Sequence, residues 1–343
     1  MTPREIVLQV INRQSSPKSR IPAALLSAGT WTFRQKGLTL KDILEKPELA
    51  TPAIVECNAQ VHSDIVWPGS GYHNLPIHML GGKVQFRKQG NIDVSEPLIN
   101  DLAAIDQLNL DQLDTHEWVV AIRRMIAEVN SAIGDTVLVG TSSWGPFTLA
   151  GQLYGVERLM SGLYKDKDGI RALLDFTTEL CYRYLAPMIH QGAAILSIAE
   201  PTASGDLISY RHFEEFVAPY LAKINSRLKS RGALVMLHIC GNIKECLGII
   251  PSLGVDILSL DYKVDLTFAQ KIIGGKIAIA GNVNPVLIKE STLQQVVNAA
   301  EQCIQQANLF EHYILMPGCD IPPGVPLENV KAFIAAANAN QIS

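Results

Sequence analysis

Short apolar runs recur along the chain, each closed by Gly, Pro, Asn or Asp, with segments of helical spacing between them. The runs are IPAALLSA from Ile21, HSDIVW from His62, TVLVGTS from Thr136, AAILSIAE from Ala193, ALVMLHIC from Ala233, VDILSLD from Val255, KIAIAGN from Lys276 and YILMPGC from Tyr313. They are continuously apolar rather than alternating, the pattern of strands buried on both faces. The intervening RHFEEFVAPYLAKINSRLKSRG and STLQQVVNAAEQCIQQANL carry apolar residues at helical spacing. The first ends at Gly232, and the second opens on a cap signal at Ser291 or Thr292. Strand and helix in alternation predict parallel βαβ units.

Eight such strands predict an α/β fold, a single (β/α)8 TIM-type barrel with an N-terminal helical extension. An open doubly wound sheet is the competitor, but no G-x-G-x-x-G follows the first strand. GGKVQFRKQGNIDV, Gly81 to Val94, is more polar and bounded by glycine, and reads as a hairpin inserted after strand two. There is no Pro/Gly/Ser linker, low-complexity tract or internal repeat, so one domain over residues 1–343 is the economical reading.

Composition narrows the function classes. The net charge is −4, from 29 basic and 33 acidic residues, and only 18% of residues are charged. That leaves no electrostatic footprint for nucleic acid and no basic cluster for a membrane surface. The opening MTPREIVLQVINRQ lacks a signal-peptide core, and no apolar run reaches bilayer length. A soluble, cytoplasmic protein is expected. The six cysteines, Cys57, Cys181, Cys240, Cys246, Cys303 and Cys319, are scattered without a secretory context. Buried thiols or metal ligands are then expected in place of a disulfide framework.

Two of these cysteines stand where chemistry would be placed. In LHICGN, His238 and Cys240 are two apart on a strand and so project from the same face. At a strand's C-terminal end they would point into the mouth of a barrel, where such folds keep their active sites. By itself His-x-Cys is more often a packed core pair. Strand eight changes that balance, because MPGCDIPPGVPLENV places Cys319 at a second strand end, in a rigid Pro/Gly-rich turn. One nitrogen and two sulfurs from different strand ends make an open zinc site of catalytic type. Cys246 is a rival ligand, but IKECLGII reads as helical and packed against the sheet.

Further candidates sit at other strand ends. Glu200 closes the fourth run before Pro201 and could cap a turn, supply a fourth metal ligand or accept a proton. The sequence leaves these open. Asn282, ending the seventh run, would face the same cavity. Trp67, Tyr72, His73, Trp144 and Phe147 follow strands two and three and could receive a flat ring system, although core packing is the commoner role of such aromatics. Lys263 and Arg211 could bind an acidic group, with solvated surface charge as the alternative.

H-x-C-G-N, M-P-G-C-D-I-P-P-G-x-P-L-E-N-V, A-E-P-T-A-S after strand four and the opening M-T-P-R-E together resemble the uroporphyrinogen decarboxylase superfamily. More narrowly, they resemble its cobalamin-dependent methyltransferase branch. The resemblance spans nearly the whole chain and implies zinc held by His238, Cys240 and Cys319. It implies methyl transfer between methylcobalamin, as a corrinoid carried by a partner protein, and a thiol such as coenzyme M, or tetrahydrofolate, with Glu200 able to take the thiol proton. Asn282, Trp144 and Tyr72 would then contact the corrinoid. The decarboxylases carry an arginine-rich M-R-Q-A-G-R stretch after strand one, whereas LLSAGTWTFRQKG has Arg34 alone. Decarboxylation of a tetrapyrrole, and a corrinoid- or metal-binding component without turnover, are the alternatives. DIVWPGSGYHNLPIHMLGGKVQFR also departs from the methanogen coenzyme M enzymes, which keeps tetrahydrofolate open as acceptor.

Overall fold

The structure, a computed structural model, describes residues 1–13, 20–88, 90–307 and 312–339. Nine strands lie among them: β1 (Ile65–Val66), β2 (Val84–Phe86), β3 (Ile92–Val94), β4 (Leu138–Trp144), β5 (Ile195–Ala199), β6 (Leu234–Ile239), β7 (Ile257–Leu260), β8 (Ala278–Val283) and β9 (Tyr313–Pro317). Seven form one parallel sheet in the order β1-β4-β5-β6-β7-β8-β9, so every connection steps to the neighbouring strand. Helices such as Lys167–Ile189 and Ala218–Lys229 make these crossovers. β2 and β3 pair antiparallel as a separate hairpin, Val84 opposite Val94, after β1. Its Gln89 lies outside the described residues, as does the end of the helix expected through Leu309.

The first predicted strand is reduced to an isolated parallel bridge, Ala23 to Leu315. Its backbone nevertheless closes the ring. On one side Ala24 N donates to Leu315 O at 3.0 Å and Leu315 N to Pro22 O at 2.9 Å; on the other, Asp64 N donates to Ala23 O at 2.9 Å. Asp64 also takes Arg20 in a two-pronged ion pair and accepts from Ala23 N, which holds the segment between β9 and β1.

Alternation along the strands sorts side chains into two cores. Outward-facing residues pack under the helices. Inward-facing residues form a smaller cluster that includes Leu138, Ile195, Met236, Ile257, Ala278 and Ile314. The helix Pro3–Ile11 plugs the N-terminal end of this interior with Val7, Val10 and Ile11. A Thr2/Glu5 capping box starts the helix, and Arg4 N donates to Thr136 O below β4. Toward the strands' C-terminal ends the inward residues become small and polar, with Ser142 opposite Ser197 and Ser259 opposite His238. That change of residue size leaves a cavity. No described helix is long and apolar enough to cross a membrane.

Candidate metal centre

His238 faces the barrel interior because it shares the parity of Met236 on β6, while Leu237 and Ile239 point to the helix layer. Cys240 follows on the same side. Cys319 arrives from beyond β9 through Gly318, whose backbone crosses the loop after β7. A Cβ on Gly318 would lie 2.5 Å from the backbone nitrogen of Tyr262, so this approach requires glycine. The result brings together residues separated by 79 positions. His238 Nε2 lies 3.2 Å from Cys240 Sγ, and the two sulfurs are 3.6 Å apart. All three donor atoms lie within 4.8 Å of one another.

The donor set fits a zinc ion. Ligands ~2.0–2.3 Å from one tetrahedral zinc are spaced roughly 3.3–3.8 Å apart, close to the separations here. The remaining nitrogen, Nδ1, sits 3.1 Å from the hydroxyl of Ser259 on β7, the outer partner that fixes an imidazole's orientation at a metal. The thiol pair already favours ionisation on one sulfur. Hydrogen bonding from Cys240, reinforced by His238, holds Cys319 below the ordinary thiol range, and the same contact with burial pushes Cys240 upward. A cation would relieve that buildup of negative charge. Cys57, Cys181, Cys246 and Cys303 are buried elsewhere; only Cys240 and Cys319 are partly open.

Two acidic residues brace this centre, and sequence reasoning assigned them no role. Asp261, at the end of β7, accepts from Gly241 N at 2.8 Å and Lys263 N at 2.9 Å, fixing the turn that follows Cys240. It shares parity with Ile257 and Ser259, a signal present in the sequence. Asp320 accepts from Ala28 N at 2.8 Å and is raised to about 7 chiefly by burial.

The site opens into a cavity of about 70 Å³ lined by His238, Cys240 and Cys319 together with Trp67, His73 and Trp144 and smaller polar residues. The six-membered ring of Trp67 packs against Gly140, where a Cβ would lie 2.5 Å from it. His73 stacks on Trp144 with ring centres 4.5 Å apart, and its Nε2 meets Ser142 Oγ at 2.8 Å. Burial, with His238 nearby, lowers His73 to about 4, so its ring is neutral. Asn91, carried by the β2–β3 hairpin, completes the lining.

Three expectations are corrected. Glu200 does not face the cavity: Ser197 and Ala199 line it, so the next residue with opposite parity turns to the helix layer. There its carboxylate accepts from Phe147 N at 2.9 Å, Thr148 N at 2.8 Å and Thr148 Oγ1 at 2.7 Å, capping the helix Pro146–Tyr154. Burial pushes it up to about 7 despite these donors. Asn282 donates to Asp261 O and Val264 O and braces the loop after β7 rather than lining the cavity. Tyr72 is fully buried, its hydroxyl donating to Leu40 O, and contacts no open space. Of the other aromatics, Trp67, His73 and Trp144 line the cavity, while Phe147 is core. Lys263 is paired with Asp206 at 3.1 Å, and Arg211 is exposed.

Known proteins place this arrangement in context. A methyltransferase from Methanosarcina mazei shares the fold, with a TM-score of 0.88 over 99% of both chains at 23% identity. A methylcobamide:CoM methyltransferase from Methanosarcina barkeri is 31% identical over 64% of this chain, which spans 63% of that relative's length. A methylated-thiol–coenzyme M methyltransferase from Methanosarcina mazei is 32% identical over 78% of this chain and 71% of its own. A uroporphyrinogen decarboxylase from Prochlorococcus marinus is 27% identical over 74% of both. The family model for uroporphyrinogen decarboxylase (URO-D) matches residues 2–339, and the chain belongs to that family.

Proposed function

We propose that the protein is a methyltransferase that moves a methyl group between a corrinoid carried by a partner protein and a small thiol, using zinc held by His238, Cys240 and Cys319. The observation that carries this reading is the convergence of one imidazole and two sulfurs from two distant strand ends at the floor of an open cavity. The names of the relatives, methylcobamide and methylated-thiol methyltransferases, agree with it.

When bound, zinc supplies the Lewis acidity that lets a thiol lose its proton near neutral pH. The chain does the rest. Ser259 orients His238, Asp261 fixes the turn after Cys240, and the two sulfurs keep the site electron-rich, so an incoming thiol remains a nucleophile. The walls hold its sulfur in line with a methyl group presented at the mouth. In such a transfer the thiol sulfur would gain the methyl group while the corrinoid would keep the electron pair of the broken carbon–cobalt bond, and the thiol proton would pass to solvent. Trp144 and Trp67 line the cavity wall, where a corrin edge would meet them.

Cavity size favours a small thiol over tetrahydrofolate. Where one water needs roughly 10–15 Å³, a space of about 70 Å³ admits only a few heavy atoms. Coenzyme M, named for the relatives, is the first acceptor to test, then homocysteine and tetrahydrofolate.

The test is metal analysis followed by methyl transfer from methylcobalamin, read from the corrin's absorbance. About one zinc per chain is expected, and Cys240→Ala and Cys319→Ala should lose metal and turnover together. Full zinc occupancy in the double variant, or decarboxylation of uroporphyrinogen without demethylation of the corrinoid, would overturn the proposal. Binding of corrinoid and metal without turnover would identify a non-catalytic component instead.

A further inference from the structure

The cavity wall bears on what the acceptor carries beyond its sulfur. Among the described residues no lysine or arginine lines it. Lys263, at the neighbouring loop, is paired with Asp206, and Arg87 of the hairpin with Asp93. The imidazole of His73 is committed to the wall, stacked on Trp144 and bonded through Nε2 to Ser142 Oγ. Asp320 supplies no positive charge in either protonation state.

Backbone sites for an anion are also taken. A helix N-terminus beside a barrel mouth is a ready anion site. Here the helix following β4 has its first free amides, Phe147 N and Thr148 N, already bonded to Glu200. The amide of Ala28, leading into the helix Gly29–Arg34, is bonded to Asp320. Both sets of amides hold the protein's own carboxyl groups and lie behind the cavity lining, so neither presents a free N–H to an acceptor's end group. What remains is hydroxyl surface from Ser142 and Ser197 and aromatic surface from Trp67 and Trp144, with Asn91 already accepting from Thr30.

An anionic end group would therefore lose its hydration without gaining a charged or amide partner. A hydroxyl finds donors and acceptors on Ser142 and Ser197. An ammonium finds acceptor oxygens on Asp320 and the rings of Trp67 and Trp144 at the wall. We propose that the acceptor is a short thiol with no anionic end group, a hydroxyl or ammonium standing where coenzyme M carries a sulfonate. This rests on the thiol-methylation reading above and departs from the acceptor named for the relatives.

The experiment compares three thiols of equal backbone length, 2-mercaptoethanesulfonate, 2-mercaptoethanol and 2-aminoethanethiol, on the intact zinc-loaded protein. Binding is read by calorimetry and methyl transfer by methylcobalamin absorbance. The hydroxyl and ammonium thiols should bind at least roughly tenfold more tightly than the sulfonate, a difference of about 1.4 kcal/mol, and show correspondingly lower KM. Asn91→Lys, which brings a cation to the wall, should raise sulfonate affinity and narrow that gap. Sulfonate binding equal to or tighter than both others overturns the inference and leaves the methyltransferase reading standing. Failure of all three to bind or to accept a methyl group removes both.

Discussion

The hydroxyl of Ser259 is the smallest part of the centre and sets its orientation, because it fixes one edge of the imidazole whose other nitrogen faces the sulfurs. Ser259→Ala should leave the fold intact and weaken zinc binding roughly 10–100-fold, measured by competition with a chromophoric chelator. Glu200 makes a different prediction. Its carboxyl is raised from 4.5 to about 7 by burial, so the folded state holds the proton more tightly than the unfolded chain. Its contribution is fully present below pH 4.5 and is lost as pH rises toward 7, by on the order of 3 kcal/mol. Glu200→Gln should flatten that part of the curve of unfolding free energy against pH while retaining zinc, because the carboxylate caps a helix and touches no donor atom of the centre. The error about this residue is instructive. Its place at a strand's end was legible, but a side chain's face depends on parity, and the run AAILSIAE is apolar on both faces. Ser197, the polar residue inside that run, marks its inward parity. His238 and Cys240 were legible because their two-residue spacing carries its own parity.

Strand ends, as elements, bring the donor atoms together only where the backbone can pass closely. Gly318→Ala should displace the Cys319 turn, since the added Cβ meets backbone at 2.5 Å and no side chain can give way. Zinc affinity should drop well before global stability does, which equilibrium dialysis alongside thermal unfolding would show. Seven of the eight predicted strands appear in the parallel sheet, because continuous apolar character and a closing turn are both local properties. The first is different. IPAALLSA has the composition of a strand yet keeps only a bridge, because Pro22 has no amide to donate and Asp64 takes over the donor at Ala23. That substitution of a side chain for a ladder bond is tertiary, and no local pattern announces it. The stacking of His73 on Trp144 is illegible for the same reason: it joins the loop after β1 to the end of β4.

The sheet and the segment at Ala23 form a ring filled at its N-terminal end, with a cavity of about 70 Å³ toward its C-terminal end. The N-terminal helix supplies the filling that the narrow end needs, with Val10 fully buried against the strands. Val10→Ala should cost about 1–3 kcal/mol, seen as a lower denaturant midpoint without change in zinc content. Closure itself was inferable from the strand count, whereas the plug was not, since PREIVLQVI has no feature that distinguishes a core helix from a surface one.

The distance in sequence between Cys240 and Cys319 has a consequence for stability as well as for chemistry. A metal gripping both sulfurs is a cross-link that ties a 79-residue segment into a loop. If any of that tie persisted in the unfolded chain, it would remove entropy there on the order of 4 kcal/mol by the loop-closure relation. In the folded chain it fastens β6 to β9 and encloses β7 and β8, which give no donor atom of their own. Stripping the metal should then lower Tm and speed amide exchange first in β7 and β8, leaving β4 and β5 protected. The same ion would serve as catalyst at one end of the barrel and as the clasp of its last quarter.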